Sequence, residues 1–329
     1  MSANAAGRLL QHYVDNFRRL PWRAPPGSPP PEPYRVWLSE VMLQQTTVAA
    51  VTPRFKRFLE RWPTIEALAG APEAEVMQEW AGLGYYARAR NLIACARDVA
   101  AMGVFPTDEA GLRKLPGVGA YTAAAVAAIA FSEHTVPVDT NVERVVARLN
   151  GFTDKGAVPA AATTMLPAGR SGDFAQAMMD LGATICRPKA PLCGQCPLAS
   201  DCQGFALGTP EAFPAPKAKK LRPQRHGTAW WTERDRQIWL VRRPAKGMLG
   251  GMAALPGPDW HDEPTSAPAI ARVRHIFTHF ALNLTIVARP EPQGDGWWQP
   301  IDTLAEAGLP TLYRRAANAV LADRNALAA

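Results

Sequence analysis

The sequence predicts a multidomain α + α/β molecule, with an all-α core over the first two-thirds of the chain and an α+β C-terminal domain. Three observations lead there. Apolar residues recur at helical spacing up to residue 200, and no stretch before it alternates with the period of two that marks a strand. A cysteine-rich loop closes this region. Beyond it come a Pro- and Lys-rich stretch and then short β-like runs separated by turns. With 329 residues, of which 47% are hydrophobic and 20% charged, the chain is long enough for two or three compact units and apolar enough to fill their cores. The boundaries read as 1–203, a linker at 204–225, and 226–329.

Composition excludes some classes of function and favours one. No apolar run approaches the ~20 residues of a membrane span, and Met1 to Leu20 carries charges throughout with no apolar secretory core. A cytoplasmic protein without a membrane partner is expected. A net charge of +7 and a pI near 9.3 favour a polyanionic partner, nucleic acid first.

The first predicted helix, Arg8 to Leu20, places Leu9, Leu10, Tyr13, Val14, Phe17 and Leu20 on one face. Pro21 and the proline-rich segment at 24–33 end it, because proline lacks a backbone donor and restricts the residue before it. A second helix is expected over Tyr34 to Ala50. Within it Glu40 precedes the polar run Gln44-Gln45-Thr46-Thr47, and taken alone Glu40 reads as a solvated carboxylate. Short helices follow at Arg54–Arg61, Ile65–Ala69, Glu73–Ala81, Tyr86–Met102 and Asp108–Lys114, each ended by Pro or Gly.

Two glycine turns interrupt this series. Gly82-Leu83-Gly84-Tyr85-Tyr86 is a tight bend that presents two aromatics, or simply a helix C-cap. Leu115-Pro-Gly117-Val-Gly119-Ala-Tyr121-Thr stands directly before an alanine-rich helix. Free N–H groups at such a helix start favour an anion, and glycines let a phosphate backbone approach. Further on, Val142, Val145, Val146 and Leu149 predict a helix from about Thr140, with Thr140-x-x-Glu143 as a capping box and Asp139 at or just before the N-terminus.

The cysteine loop reads Cys186-x6-Cys193-x2-Cys196-x5-Cys202; the other cysteine, Cys95, sits alone in an apolar helix. A disulfide framework does not suit a cytosolic chain of this size. Four thiolates suit either tetrahedral zinc or a 4Fe-4S cluster. Only one C-x2-C pair is present, where structural zinc usually has two, and this favours the cluster.

Taken in order, SEVMLQQT, GLGYYARARNL, LPGVGAYTA, VPVDTNVERV and the cysteine spacing resemble the helix-hairpin-helix DNA glycosylases, and among them the MutY-type adenine DNA glycosylases. The resemblance is strong over residues 8 to 203 and weaker to about 320. It implies a helix-hairpin-helix glycosylase core with one 4Fe-4S loop at 186–202, held by Cys186, Cys193, Cys196 and Cys202, then a Nudix-like domain that recognises 8-oxoguanine. The implied partner is double-stranded DNA containing A:8-oxoguanine or A:G, bound by a monomer.

In such enzymes a flipped adenine is cut from its sugar after protonation at N7. Glu40 matches the family's acid and Asp139 the carboxylate that stabilises the oxocarbenium-like sugar, a division of labour shared with glycosidases. Asn141 matches the residue that hydrogen-bonds this Asp. Tyr121 stands where bifunctional relatives such as endonuclease III carry a Schiff-base lysine, so little strand cleavage is expected. Trp22, Arg23 and Asp180 match the adenine pocket. Gln44, Gln45, Thr46, Leu83 and Tyr85 match the strip beside the lesion, while Gly117, Gly119, Arg187 and Lys189 are expected at phosphates.

The C-terminal domain is expected to have strands at Ala229–Thr232, Gln237–Arg242 and Leu282–Val287 and a helix at Leu312–Ala322. No acidic Nudix box follows Gly247–Pro256, so pyrophosphate hydrolysis is not expected. Arg274-His-Ile-Phe-Thr278-His279 resembles the family's recognition loop with Thr in place of Ser. Two other readings stand beside this one: a thymine-mismatch glycosylase of the same superfamily, and a non-enzymatic iron–sulfur DNA-binding protein.

Overall fold

The computed structural model describes residues 4–216, 221–244, 247–264 and 266–327, with side chains up to 322. Internal contacts divide the chain into two units, Met1–Gly70 with Asn91–Ala218, and Ala71–Arg90 with Lys219–Ala329. Residues 217–220 of the expected linker lie outside the described residues. The part before them is folded rather than extended: Gln203–Ala206 is helical, Gly204 is buried, and the Ala215 N–H donates to Thr153 O at 2.9 Å.

Among its described residues the first unit has helices and no strand. Its core joins Leu9, Leu10 and Tyr13 of helix Ala5–Asp15 to Val142, Val145, Val146 and Leu149 of helix Thr140–Asn150 and to Phe174, Met178 and Leu181 of helix Ser171–Thr184. Each of these side chains leaves water almost completely, and full burial of one large aliphatic is worth about 1.5–3 kcal/mol. Helix Ala120–Phe131 is buried on nearly every side, since Thr122 to Ala130 are all buried. No described helix is long and apolar enough to cross a membrane.

Several expected helices differ in extent. The first helix ends at Asp15, well short of Leu20. The helix expected over Tyr34–Ala50 is two, Pro33–Leu43 and Val48–Arg61. They are separated by Gln44–Thr47, where Gln45 takes a left-handed φ of 54° and Thr47 caps the second helix by accepting from Ala50 N. That second helix also starts earlier than Arg54. Pro53 is tolerated inside it because the carbonyl left without a donor, that of Ala49, lies on an exposed residue.

The second unit contains two sheets. Strands β1 (Gln224–Trp231), β5 (Ala271–Ile276) and β6 (Ala281–Ala288) form one in the order β1-β6-β5, with β1 parallel and β5 antiparallel to β6. In the other, β3 (Gln237–Arg242) pairs antiparallel with β2 (Glu233–Arg234), β4 (Ala253–Ala254) and β7 (Gly296–Pro300). Helix Thr311–Leu327 packs on β5 and β6 over a core that includes Leu282, Leu284, Ile286, Leu312 and Tyr313. Strands β2, β4, β5 and β7 were absent from the sequence expectation, although β5 alternates buried Ala271 and Val273 with exposed Arg272 and Arg274.

Candidate active site and cysteine centre

A cavity of about 800 Å³ opens in the helical unit, and twelve of the residues singled out from sequence line it, from Trp22 and Arg23 through Glu40 to Asp139 and Asp180. Glu40 enters from the last turns of helix Pro33–Leu43 and is 6% exposed, so it is no solvated carboxylate. Burial raises its carboxyl from the ordinary 4.5 to about 7. The Tyr121 hydroxyl, donating to Oε2 at 2.9 Å, and the Arg23 charge pull the other way, while Asp139 adds to the rise. Desolvation wins, and the net rise corresponds to about 3 kcal/mol in favour of the protonated acid.

Asp139 is the N-cap of helix Thr140–Asn150. Its Oδ1 accepts from the N–H groups of Asn141 at 2.9 Å and Val142 at 2.7 Å, and its Oδ2 accepts from Asn141 Nδ2 at 2.8 Å. The expected capping box does not form: Asp139 caps in place of Thr140, and Glu143 pairs with Lys155 rather than reaching back. Arg144 Nη2 donates to Asn141 Oδ1 at 2.9 Å, which fixes that amide with its NH₂ toward Asp139. The same guanidinium reaches Cys186 O at 2.7 Å through Nε and Gly182 O at 2.7 Å through Nη2.

The far wall is an ion cluster. Arg23 grips Asp180 through two nitrogens, at 2.6 and 3.0 Å, and Arg18 reaches Asp180 Oδ1 at 3.0 Å. Burial alone would lower Arg23, but the hydrogen bond and charge of Asp180 outweigh it and raise it further, so the guanidinium stays charged. Trp22, 5% exposed, packs edge-on against Phe55 at 5.3 Å.

At the rim, Gln44 Nε2 donates to Thr122 Oγ1 at 3.0 Å, and Gln45 and Thr46 sit in the turn that separates the two helices. Gly117 and Gly119 line the cavity ahead of helix Ala120–Phe131, of which Gly119 is the N-cap. Gly117 has a φ of 72°, and a Cβ there would come within 2.6 Å of Asn91. Only glycine suits that turn.

The second unit carries four of the singled-out residues. Tyr85 is 44% exposed with a φ of 50°, and its hydroxyl bonds Thr278 Oγ1 at 2.7 Å. Thr278 and His279 form the tip of the turn between β5 and β6. Leu83, matched to the strip beside the lesion, is 6% exposed.

Cys186, Cys193, Cys196 and Cys202 surround one small pocket together with Arg148 and Phe205. Among the described residues no group of three or more His, Cys, Asp or Glu closes on a single metal ion. The donor set, four free thiols around one space, suits a polynuclear group. Burial pushes Cys196 up to about 11 and also raises Cys193 and Cys202, so these thiols need a bound cation to ionise. Arg148, 2% exposed, braces the loop by donating to Arg187 O at 2.7 Å, Pro188 O at 3.0 Å and Phe213 O at 3.2 Å. Arg187 is tethered to Ala190 O at 2.8 Å, and Lys189 is exposed.

Arg148→Lys is expected to lower unfolding stability by about 2 kcal/mol, because one ammonium cannot satisfy the three divergent carbonyls that the buried guanidinium reaches. Urea denaturation of the purified proteins measures this.

Residues 38–166 match the HhH-GPD superfamily of base excision DNA repair proteins, and residues 227–319 match the Nudix domain. Over 212 residues the chain is 43% identical to the adenine DNA glycosylase of Mycolicibacterium smegmatis, a stretch covering 61% of this chain and 71% of that protein. The chain belongs to the adenine DNA glycosylase family. The human member is 36% identical over 316 residues, 77% of this chain and 57% of the human protein. The chain spans about half the length of its animal and plant relatives. Among solved structures, a thermostable thymine-DNA glycosylase is similar with a TM-score of 0.56 and 29% identity, over 61% of this chain and 95% of that one. The expected fold class holds: a helix-hairpin-helix core followed by a Nudix-like domain.

Sequence reasoning missed three arginines of this family member. Arg18 gave no signal, since it reads as one of several exposed cations. Arg144 and Arg148 lie four apart on helix Thr140–Asn150, and Arg148 falls three residues after Val145 on the apolar stripe. A charge on such a stripe implies a buried partner, and that was the available clue.

Proposed function

We propose that the protein is a monofunctional adenine DNA glycosylase acting on duplex DNA in which adenine is paired with 8-oxoguanine or G. The observation that carries this reading is Glu40, buried and shifted to about 7, in one cavity with an Asp139 held by three N–H donors. A flipped adenine entering that cavity takes the Glu40 proton at N7. The C1′–N9 bond then breaks with its electron pair moving onto the protonated base. Asp139 stabilises the positive sugar, and water completes the hydrolysis at C1′.

Tyr121 supplies a hydroxyl to Glu40 and no amine to the sugar, so no Schiff base forms and strand cleavage is not catalysed. The Asp180 and Arg23 pair lines the base pocket as a polar edge. Gln45, at a left-handed position, would fill the gap left by the flipped base, and Tyr85 would contact the strand beside the lesion. Cys186, Cys193, Cys196 and Cys202 would hold one 4Fe-4S cluster. Its role when bound is to cross-link the loop that displays Arg187 and Lys189 to phosphates. Oxidised guanine carries an N7–H donor where guanine has an acceptor, and the Thr278 hydroxyl is the group that reads that difference.

Single-turnover excision on A:8-oxoguanine, A:G and T:G duplexes tests the assignment. Base release is expected from the first two, fastest from the first, with little strand scission. The similarity to a thymine-DNA glycosylase makes T:G the competing substrate. Faster release from T:G than from either adenine duplex would replace this reading with that one, and release from none would leave a DNA-binding module.

A further inference from the structure

Thr278 and His279 form the tip of the β5–β6 hairpin, where Ile276 pairs with Ala281 and the Phe277 N–H donates to Phe280 O at 2.9 Å. A two-residue tip has few contacts of its own, so its position depends on what holds its base. Here the base is aromatic on both sides. The rings of Phe277 and Phe280 lie 4.8 Å apart, and Trp260 contacts both, at 5.4 Å from Phe277 and 6.0 Å from Phe280. His275 adds an edge contact to Phe277 at 4.6 Å.

Trp260 is itself fixed. It comes from the segment between β4 and β5 and lies over Gly227 of β1, where a Cβ would meet its Cδ1 at 2.6 Å. The Arg243 guanidinium covers its ring at 5.1 Å. The ring is therefore in contact with β1, with a cation and with both ends of the hairpin turn.

We propose that Trp260 is a positioning residue for lesion discrimination, clamping Phe277 and Phe280 so that the Thr278 hydroxyl is held where it meets Tyr85. This rests on the reading in which Thr278 distinguishes 8-oxoguanine from guanine. The clamp makes no contact with substrate. Its loss leaves the hydroxyl present but free to wander, and the discriminating hydrogen bond must then be formed at an added entropic cost.

The test compares Trp260→Leu, Trp260→Phe and Thr278→Val in the full chain, using the ratio of single-turnover rates on A:8-oxoguanine and A:G duplexes. Thr278→Val is expected to lower that ratio about fivefold, the value of one neutral hydrogen bond. Trp260→Leu is expected to lower it about threefold with the A:G rate unchanged, and Trp260→Phe to retain most of it. Equal losses on both duplexes would reduce Trp260 to a structural role and overturn the proposal. An unchanged ratio in Trp260→Leu beside a collapsed one in Thr278→Val would overturn the clamp alone. An unchanged ratio in Thr278→Val would remove the reading of Thr278 itself. If Trp260→Leu fails to fold, Phe277→Leu removes one ring of the same cluster and carries the same expectations.

Discussion

Glu40→Gln is expected to lower single-turnover adenine release by at least about 10²–10⁴-fold while duplex affinity changes little. The substitution keeps the shape and the acceptor for the Tyr121 hydroxyl but removes the transferable proton. The same carboxyl predicts the pH profile. It acts as an acid with a value near 7, so excision should fall about tenfold per pH unit above that point. Stability has a matching sign. A carboxyl raised in the folded state is favoured below its unfolded value of 4.5 and becomes a burden as pH rises through about 7. Glu40→Gln escapes that burden. Its stability advantage should grow across this window by up to about 3 kcal/mol, measured by urea midpoints at pH 4 and pH 8. A variant with normal excision, or no alkaline gain in stability, would remove Glu40 from the role of acid.

That Glu40 carries such a value was not legible along the chain. Its neighbours in sequence form a mostly apolar helix in which Val36 to Met42 are all buried. Burial sets its charge first, the groups that adjust it lie at Tyr121, Arg23 and Asp139, and no local pattern reports that they converge. What was legible was periodic. The stripe Val142, Val145, Val146, Leu149 gave the helix that Asp139 caps, and the order of motifs gave the family. The merged helix at 34–50 shows the converse limit: Val48 continues the apolar pattern, and hydropathy does not register the left-handed Gln45 that breaks it. The burial of Leu83 was not legible either, since a glycine-flanked leucine gives no local sign of whether it faces solvent or core. The stretch after Cys202 looks like linker by composition, yet Phe213 O is one of the acceptors that satisfy the buried Arg148. A proline-rich segment folds when a distant donor needs its carbonyls.

Asp139→Asn is expected to lower excision by about 10²–10³-fold, and its value lies in what it should leave intact. Asp139 does two things, capping helix Thr140–Asn150 and presenting negative charge to the cavity. Asparagine caps a helix about as well as aspartate, so the cost in folding stability should stay within a few tenths of a kcal/mol. Alanine should lose both functions, adding about 1 kcal/mol of instability from the lost cap. The comparison therefore separates chemistry from folding. Tm and duplex affinity of Asp139→Asn should remain near those of the unaltered chain while its excision rate collapses. The reason is electrostatic: an oxocarbenium-like sugar gains from a full charge held by fixed donors in a cavity where little water competes, and an amide offers only a dipole. Should Asp139→Asn excise adenine within about threefold of the unaltered rate, a factor worth less than 1 kcal/mol, the stabilising charge would have to come from elsewhere. Asp139 would then keep only its place at the head of the helix.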